Sequence, residues 1–174
     1  MLKMLKKRLG AECIERKWRS NRNLKDYFKI TSPLTIPEGC ERIGVRAFCN
    51  CEKLKEVEIP KSIKIIGSLA FWNCRELREV VIPVSVEYIG VSAFEDCKNL
   101  RDVVIPGSVE RIELYAFKGC DNLKEVVIPE SVEMIGYEAF CDCEITLKKP
   151  KSEFKFISPD AFKSCRDVKE EIRN

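Results

Sequence analysis

Histidine does not occur anywhere in this chain of 174 residues. Its absence removes Ser–His and Cys–His nucleophile pairs, imidazole metal sites and the commonest general base near neutral pH. Glycine is scarce, at eight residues, and none of them forms a phosphate-cradling sequence template. No apolar run approaches the roughly 18 residues of a membrane-spanning helix, so no membrane span is expected. The N-terminal stretch "MLKMLKKRLGAECIERKW" opens with the basic character of a secretion signal. Charges at Glu12, Glu15 and Arg16 then interrupt the apolar stretch such a signal requires. The expectation is a cytoplasmic chain, or a surface or secreted one if a leader precedes it.

Charge is distributed unevenly. Residues 1–30 hold ten Lys/Arg against three Asp/Glu, a net +7, whereas the remainder is net −4. Residues 1–19 carry Leu2, Leu5, Leu9 and Cys13 along one face of an expected helix. One reading makes residues 1–30 a basic helical cap. The other makes Lys3, Lys6, Lys7, Arg8, Arg16, Lys17, Arg19 and Arg22 a contact for nucleic acid, a nucleoprotein or another acidic partner.

What the chain has in abundance is repetition. Ile-Pro recurs at Ile36-Pro37, Ile59-Pro60, Ile82-Pro83, Ile105-Pro106 and Ile128-Pro129, always 23 residues apart. Ala-Phe keeps the same interval from Ala47-Phe48 to Ala139-Phe140 and returns once more at Ala161-Phe162. A cysteine follows each of these phenylalanines by three, at Cys51, Cys74, Cys97, Cys120, Cys143 and Cys165. A fixed period of this length marks a stacked-repeat architecture, because one unit cannot bury its apolar face alone.

Within a unit, "LREVVI" (77–82) is expected to form a strand with Val80 and Ile82 inward, ended by Pro83. "SVEYIG" (85–90) turns Val86 and Ile89 inward, with Gly90 supplying positive φ. "VSAFEDC" (91–97) is expected to be a short helical turn that places Phe94 and Cys97 on one face. The L-x-x-V-x-I strand resembles the leucine-rich repeat consensus. The pattern IP-x-S-V-x-x-IG-x-x-AF-x-x-C resembles the BspA-type subclass across roughly residues 31–168.

That resemblance implies an α/β repeat solenoid, a right-handed superhelix with a parallel β-sheet face that acts as a binding scaffold. The chain then divides into an N-terminal cap at 1–30 and a solenoid of about six repeats at 31–174 with a degenerate C-terminal cap. Relatives in the subclass are largely surface proteins of bacteria and protozoan parasites that adhere to host components.

Ten cysteines invite a metal or disulfide reading. Cys49-x-Cys51 and Cys141-x-Cys143 look like halves of a zinc site, yet they stand four repeats apart. At ~4.8 Å per stacked strand that is about 19 Å, far beyond thiolate coordination at ~2.3 Å. The ladder cysteines are read as reduced, buried thiols packing as small hydrophobes, with adjacent ones close enough to oxidise in a permissive compartment. Cys40 is expected to be buried and Cys49 and Cys141 exposed.

Carboxylates recur in rows, Glu56, Glu79, Asp102 and Glu125 being one. A glycosidase-like pair could be drawn from them. The same position in every repeat instead points to scaffold, with Lys55, Arg78, Arg101 and Lys124 as diagonal partners. No enzyme activity, cofactor or metal is expected. The expected role is a non-enzymatic protein–protein interaction module, the alternative being an intracellular inhibitor or adaptor docking through residues 1–30. Its candidate contacts are the outward stripe Val81, Val104 and Val127 with Glu79 and Arg101, and the non-consensus Trp72, Tyr88 and Met134.

Overall fold

The computed structural model describes residues 33–36, 38–140 and 143–171. The expected helix over 1–19 and the whole basic segment at 1–30 lie outside these residues, as does Cys141. Each repeat makes one coil of a solenoid, and equivalent residues stack into columns.

In the consensus coils the first strand alternates out, in, out. In β5 (Glu79–Val81), Val80 is buried between exposed Glu79 and Val81. It pairs in parallel with β3 (Glu56–Glu58) and β7 (Asp102–Val104), and β3 pairs with β1 (Leu34–Thr35). A second group, β9 (Glu125–Ile128), β11 (Glu144–Leu147) and β13 (Asp167–Glu170), continues the stack. The strand ladder is interrupted between β7 and β9, which remain neighbours.

Proline ends these strands and also begins a turn. The Pro83 carbonyl accepts the Val86 N–H at 3.0 Å, and Pro60, Pro106 and Pro129 repeat the bond with Ile63, Val109 and Val132. The consensus serine inside that turn ties coil to coil: Ser85, Ser108 and Ser131 hydroxyls donate to the carbonyls of Ile63, Val86 and Val109 in the preceding coil.

The expected single sheet is joined by a second. β2 (Arg42–Ile43), β4 (Ile65–Ile66), β6 (Tyr88–Ile89), β8 (Arg111–Ile112), β10 (Met134–Ile135) and β12 (Phe156–Ile157) form a six-stranded parallel sheet. Each strand is two residues long, too short to show a period of two in the sequence.

The expected helical turns are a correction. The segment before each cysteine is a series of tight turns, because residues four apart take left-handed backbone: Ser92 (φ 54°) and Asp96 (φ 60°) in one coil, Leu69 and Asn73 (both 59°) in another. A left-handed residue at every fourth position prevents a right-handed helix from propagating. The amides alternate accordingly. Phe94 N–H donates to Ala116 in the next coil at 2.8 Å, and Cys97 N–H to Phe94 in its own coil at 3.2 Å. The turns therefore form a third hydrogen-bonded wall. Among the described residues the one helical element is a 3-10 turn at Lys151–Glu153.

Between the walls lies a continuous apolar core. Phe48, Phe71, Phe94, Phe117 and Phe140 stack with ring centroids 5.1–5.3 Å apart and nearly parallel planes. That spacing is close to the ~4.8 Å separation of neighbouring strands, so one ring fits each coil. The stack opens to 6.2 Å between Phe140 and Phe162 in the last coil. There Ile145, Leu147, Phe154 and Ala161 still supply core, and Lys148 pairs with Glu171 at 2.6 Å.

Gly90 needs a second correction: its backbone is not in the positive-φ region. What requires glycine is the approach of the neighbouring coil. A Cβ on Gly90 would lie 2.7 Å from the Ser68 amide nitrogen and 2.8 Å from the Gly67 carbonyl carbon.

Candidate protein-binding surface

The solenoid presents three side-chain surfaces, and the sequence-selected residues are divided among them. On the first-strand face, Val81 and Val104 stand directly opposite each other on β5 and β7. They are 76% and 75% exposed. Val127 continues the row at 41%, Glu58 precedes it, and Thr146, which is buried, follows it. Val84, just past the β5 proline, is also exposed, at 73%. Sequence reasoning missed it because no repeat position demands valine there.

Glu79 and Asp102 flank this row in register, with Glu56 before them. Glu125, Glu144 and Asp167 extend the column on the second group of strands. The expected diagonal pairing with Lys55, Arg78, Arg101 and Lys124 is not made. Among the described residues these four cations and Glu56, Glu79, Asp102 and Glu125 form no ion pair, the bridges lying elsewhere. The cations occupy the position immediately before each strand begins and are exposed. Arg101 thus lies just outside its strand, whereas Glu79 lies within one.

Tyr88 and Met134 belong to the six-stranded sheet. Its outward row is Arg42, Ile65, Tyr88, Arg111, Met134 and Phe156. The Arg111 guanidinium lies 5.6 Å from the Tyr88 ring centre and bonds Glu113 at 2.9 Å. Partial burial, followed by the Glu113 charge, raises the Tyr88 phenol above its ordinary value. Glu113 stands where Gly67, Gly90 and Gly136 stand in other coils. Beside it, Met134, Phe156, Tyr137 and Leu114 line a shallow depression of about 240 Å³. Phe156, 51% exposed, was hidden from sequence reading because the last unit is one residue short and its register shifts.

Trp72 is half-buried on the turn wall, where its carbonyl accepts the Asn50 N–H at 2.8 Å. The same wall carries Asn73, whose amide donates to Asn50 at 2.7 Å and whose carbonyl accepts Arg75 Nε at 2.8 Å. The structure therefore does not bring Trp72, Tyr88 and Val104 into one site.

The ladder thiols of Cys51, Cys74, Cys97 and Cys120 are free and buried, Cys143 and Cys40 are buried with them, and Cys165 is half-buried. Cys49 is half-buried rather than exposed. The thiols of Cys74, Cys97 and Cys120 donate to the carbonyls of Phe48, Phe71 and Phe94 at 3.1–3.2 Å. Burial pushes each of these thiols well above the ordinary value, which keeps them protonated and unreactive. Among the described residues no three acidic or cysteine side chains are grouped as metal ligands. No helix among them is long and apolar enough to cross a membrane.

This arrangement is that of a leucine-rich repeat solenoid, a class whose members display preformed surfaces. The BspA type leucine-rich repeat pattern matches residues 23–146 in six copies, and the chain belongs to that family. Among solved structures, the pneumococcal vaccine antigen PcpA superposes with a TM-score of 0.57 at 22% identity, over 79% of this chain and 35% of that one. A leucine-rich repeat protein from Eubacterium ventriosum superposes at 0.58 with 21% identity, over 76% of this chain and 42% of that one. At such identities the likeness is one of fold, and the chain spans less than half the length of either structure. No curated protein matches the chain.

Proposed function

We propose that the chain is a non-enzymatic interaction module that binds another protein through its first-strand face, around Val81 and Val104. The observation that carries this is the exposure of two facing valines, each about three-quarters open to water. Covering a valine from water contributes about 1.5–3 kcal/mol at full burial. The hydrogen bonds that fix both strands are already made, so binding orders little backbone and loses correspondingly little conformational entropy.

The test is Val104→Asp with capture from native lysate. Loss of the partner with an unchanged circular dichroism spectrum and melting curve supports this reading. Retention of the partner sinks it. A second reading, docking on nucleic acid or nucleoprotein, draws on the ten basic residues among 1–30. It requires binding that weakens steeply with salt and disappears when those residues are deleted.

A further inference from the structure

We propose that the protein covering the valine stripe is basic where it borders that stripe, presenting lysine or arginine side chains to the carboxylates of Glu79 and Asp102. This rests on the first-strand face being the contact surface. The carboxylates sit on the same side of the sheet as Val81 and Val104, two residues along each strand. They stand in register with each other and with Glu56, so like charges face like charges on adjacent strands. Such stacking disfavours the free fold. Among the described residues no lysine or arginine bridges Glu56, Glu79 or Asp102; farther along the column Lys169 pairs with Glu144 and Asp167. Glu58, at the end of the valine row itself, adds to the anionic border.

Covering the stripe draws water away from these carboxylates as well as from the valines. An apolar partner would leave them desolvated and unpaired, and an acidic partner would add repulsion. Cations beside the apolar contact answer both problems at once. Among the described residues, Arg78 and Arg101 stand one position before the row on their own coils and do not bridge it.

Two labelled synthetic peptides, repeats of Val-Val-Lys-Lys and of Val-Val-Glu-Glu, probe this by fluorescence anisotropy with the full chain. The lysine peptide is expected to bind at least about tenfold more tightly at low salt, and high salt should erase the difference. The double variant E79Q/D102N should narrow it to within a few-fold, and Val104→Asp should abolish binding, with circular dichroism confirming that both variants fold. If both peptides bind alike, and only Val104→Asp matters, the charge proposal is overturned while the stripe remains the contact surface. If Val104→Asp leaves the lysine peptide bound, the stripe reading falls and takes this proposal with it. Absence of lysine-peptide binding overturns the charge proposal. A concentration-dependent dimer dispersed by Val104→Asp overturns it too, by making a second copy the occupant.

Discussion

The thiol of Cys97 donates to the carbonyl of Phe71, 26 residues earlier, across 3.2 Å. This explains why the column uses cysteine and not alanine: the side chain fills a small space in the core and satisfies a carbonyl of the neighbouring coil. Cys97→Ala should therefore cost about 1–3 kcal/mol, combining a lost hydrogen bond with a small cavity. Chemical denaturation of the two proteins measures it.

The same burial makes stability fall at alkaline pH. In the unfolded chain these thiols ionise near the ordinary value of 9.0, whereas burial raises Cys74, Cys97 and Cys120 above it. The unfolded state therefore loses protons first. The stabilisation is complete below that pH and is lost as pH rises beyond it. The midpoint of urea unfolding should drop between pH 8 and about pH 10, and Cys97→Ala should flatten the slope. In the native state at pH 8, thiol reagents should leave Cys74, Cys97 and Cys120 unmodified.

Glycine substitutions should separate by position. Gly90→Ala places a methyl 2.7 Å from a backbone nitrogen and must push two coils apart, so a loss of more than about 2 kcal/mol is expected. Gly107 has no neighbour within 4 Å of such a methyl and is not at positive φ. Gly107→Ala should be neutral or stabilise by about 0.4–1 kcal/mol. Paired thermal melts decide both.

Asn73 combines left-handed backbone (φ 59°) with two side-chain hydrogen bonds. Asn73→Gly retains the backbone freedom and loses the bonds, for about 1–2 kcal/mol. Asn73→Val loses both and adds the strain of a β-branched residue at positive φ, so it should be the worse of the two. The reverse order in melting temperature would contradict the turn assignment.

The core columns were legible in the sequence because each has a side-chain requirement that repeats. Val80, Ile82, Val86, Ile89, Phe94 and Cys97 are inward, as their spacing implied. The turn wall was misread as helical because Phe94 and Cys97, three residues apart, satisfy a helix and a series of turns equally well. The discriminating signal was the residue before the first four ladder cysteines: Asn50, Asn73, Asp96 and Gly119 are types that tolerate left-handed backbone. At the other left-handed position, Arg46, Leu69, Ser92, Tyr115 and Glu138 share no chemistry, so composition is silent there. The candidate contacts were legible as residues but not as a group. Which wall a non-consensus side chain occupies depends on turns whose path the spacing alone does not specify.

The bonds between coils have a direction. Side-chain donors from Cys97, Ser85 and Asn73 reach back to the preceding coil, while turn amides such as Phe94 N–H reach forward to the next. A coil inserted in register would meet the acceptors and donors it needs on both sides. Length is then a free parameter of this architecture: whole units can be added or removed without redesigning the join, and the two sides of a coil are chemically unlike, so only head-to-tail extension reproduces it.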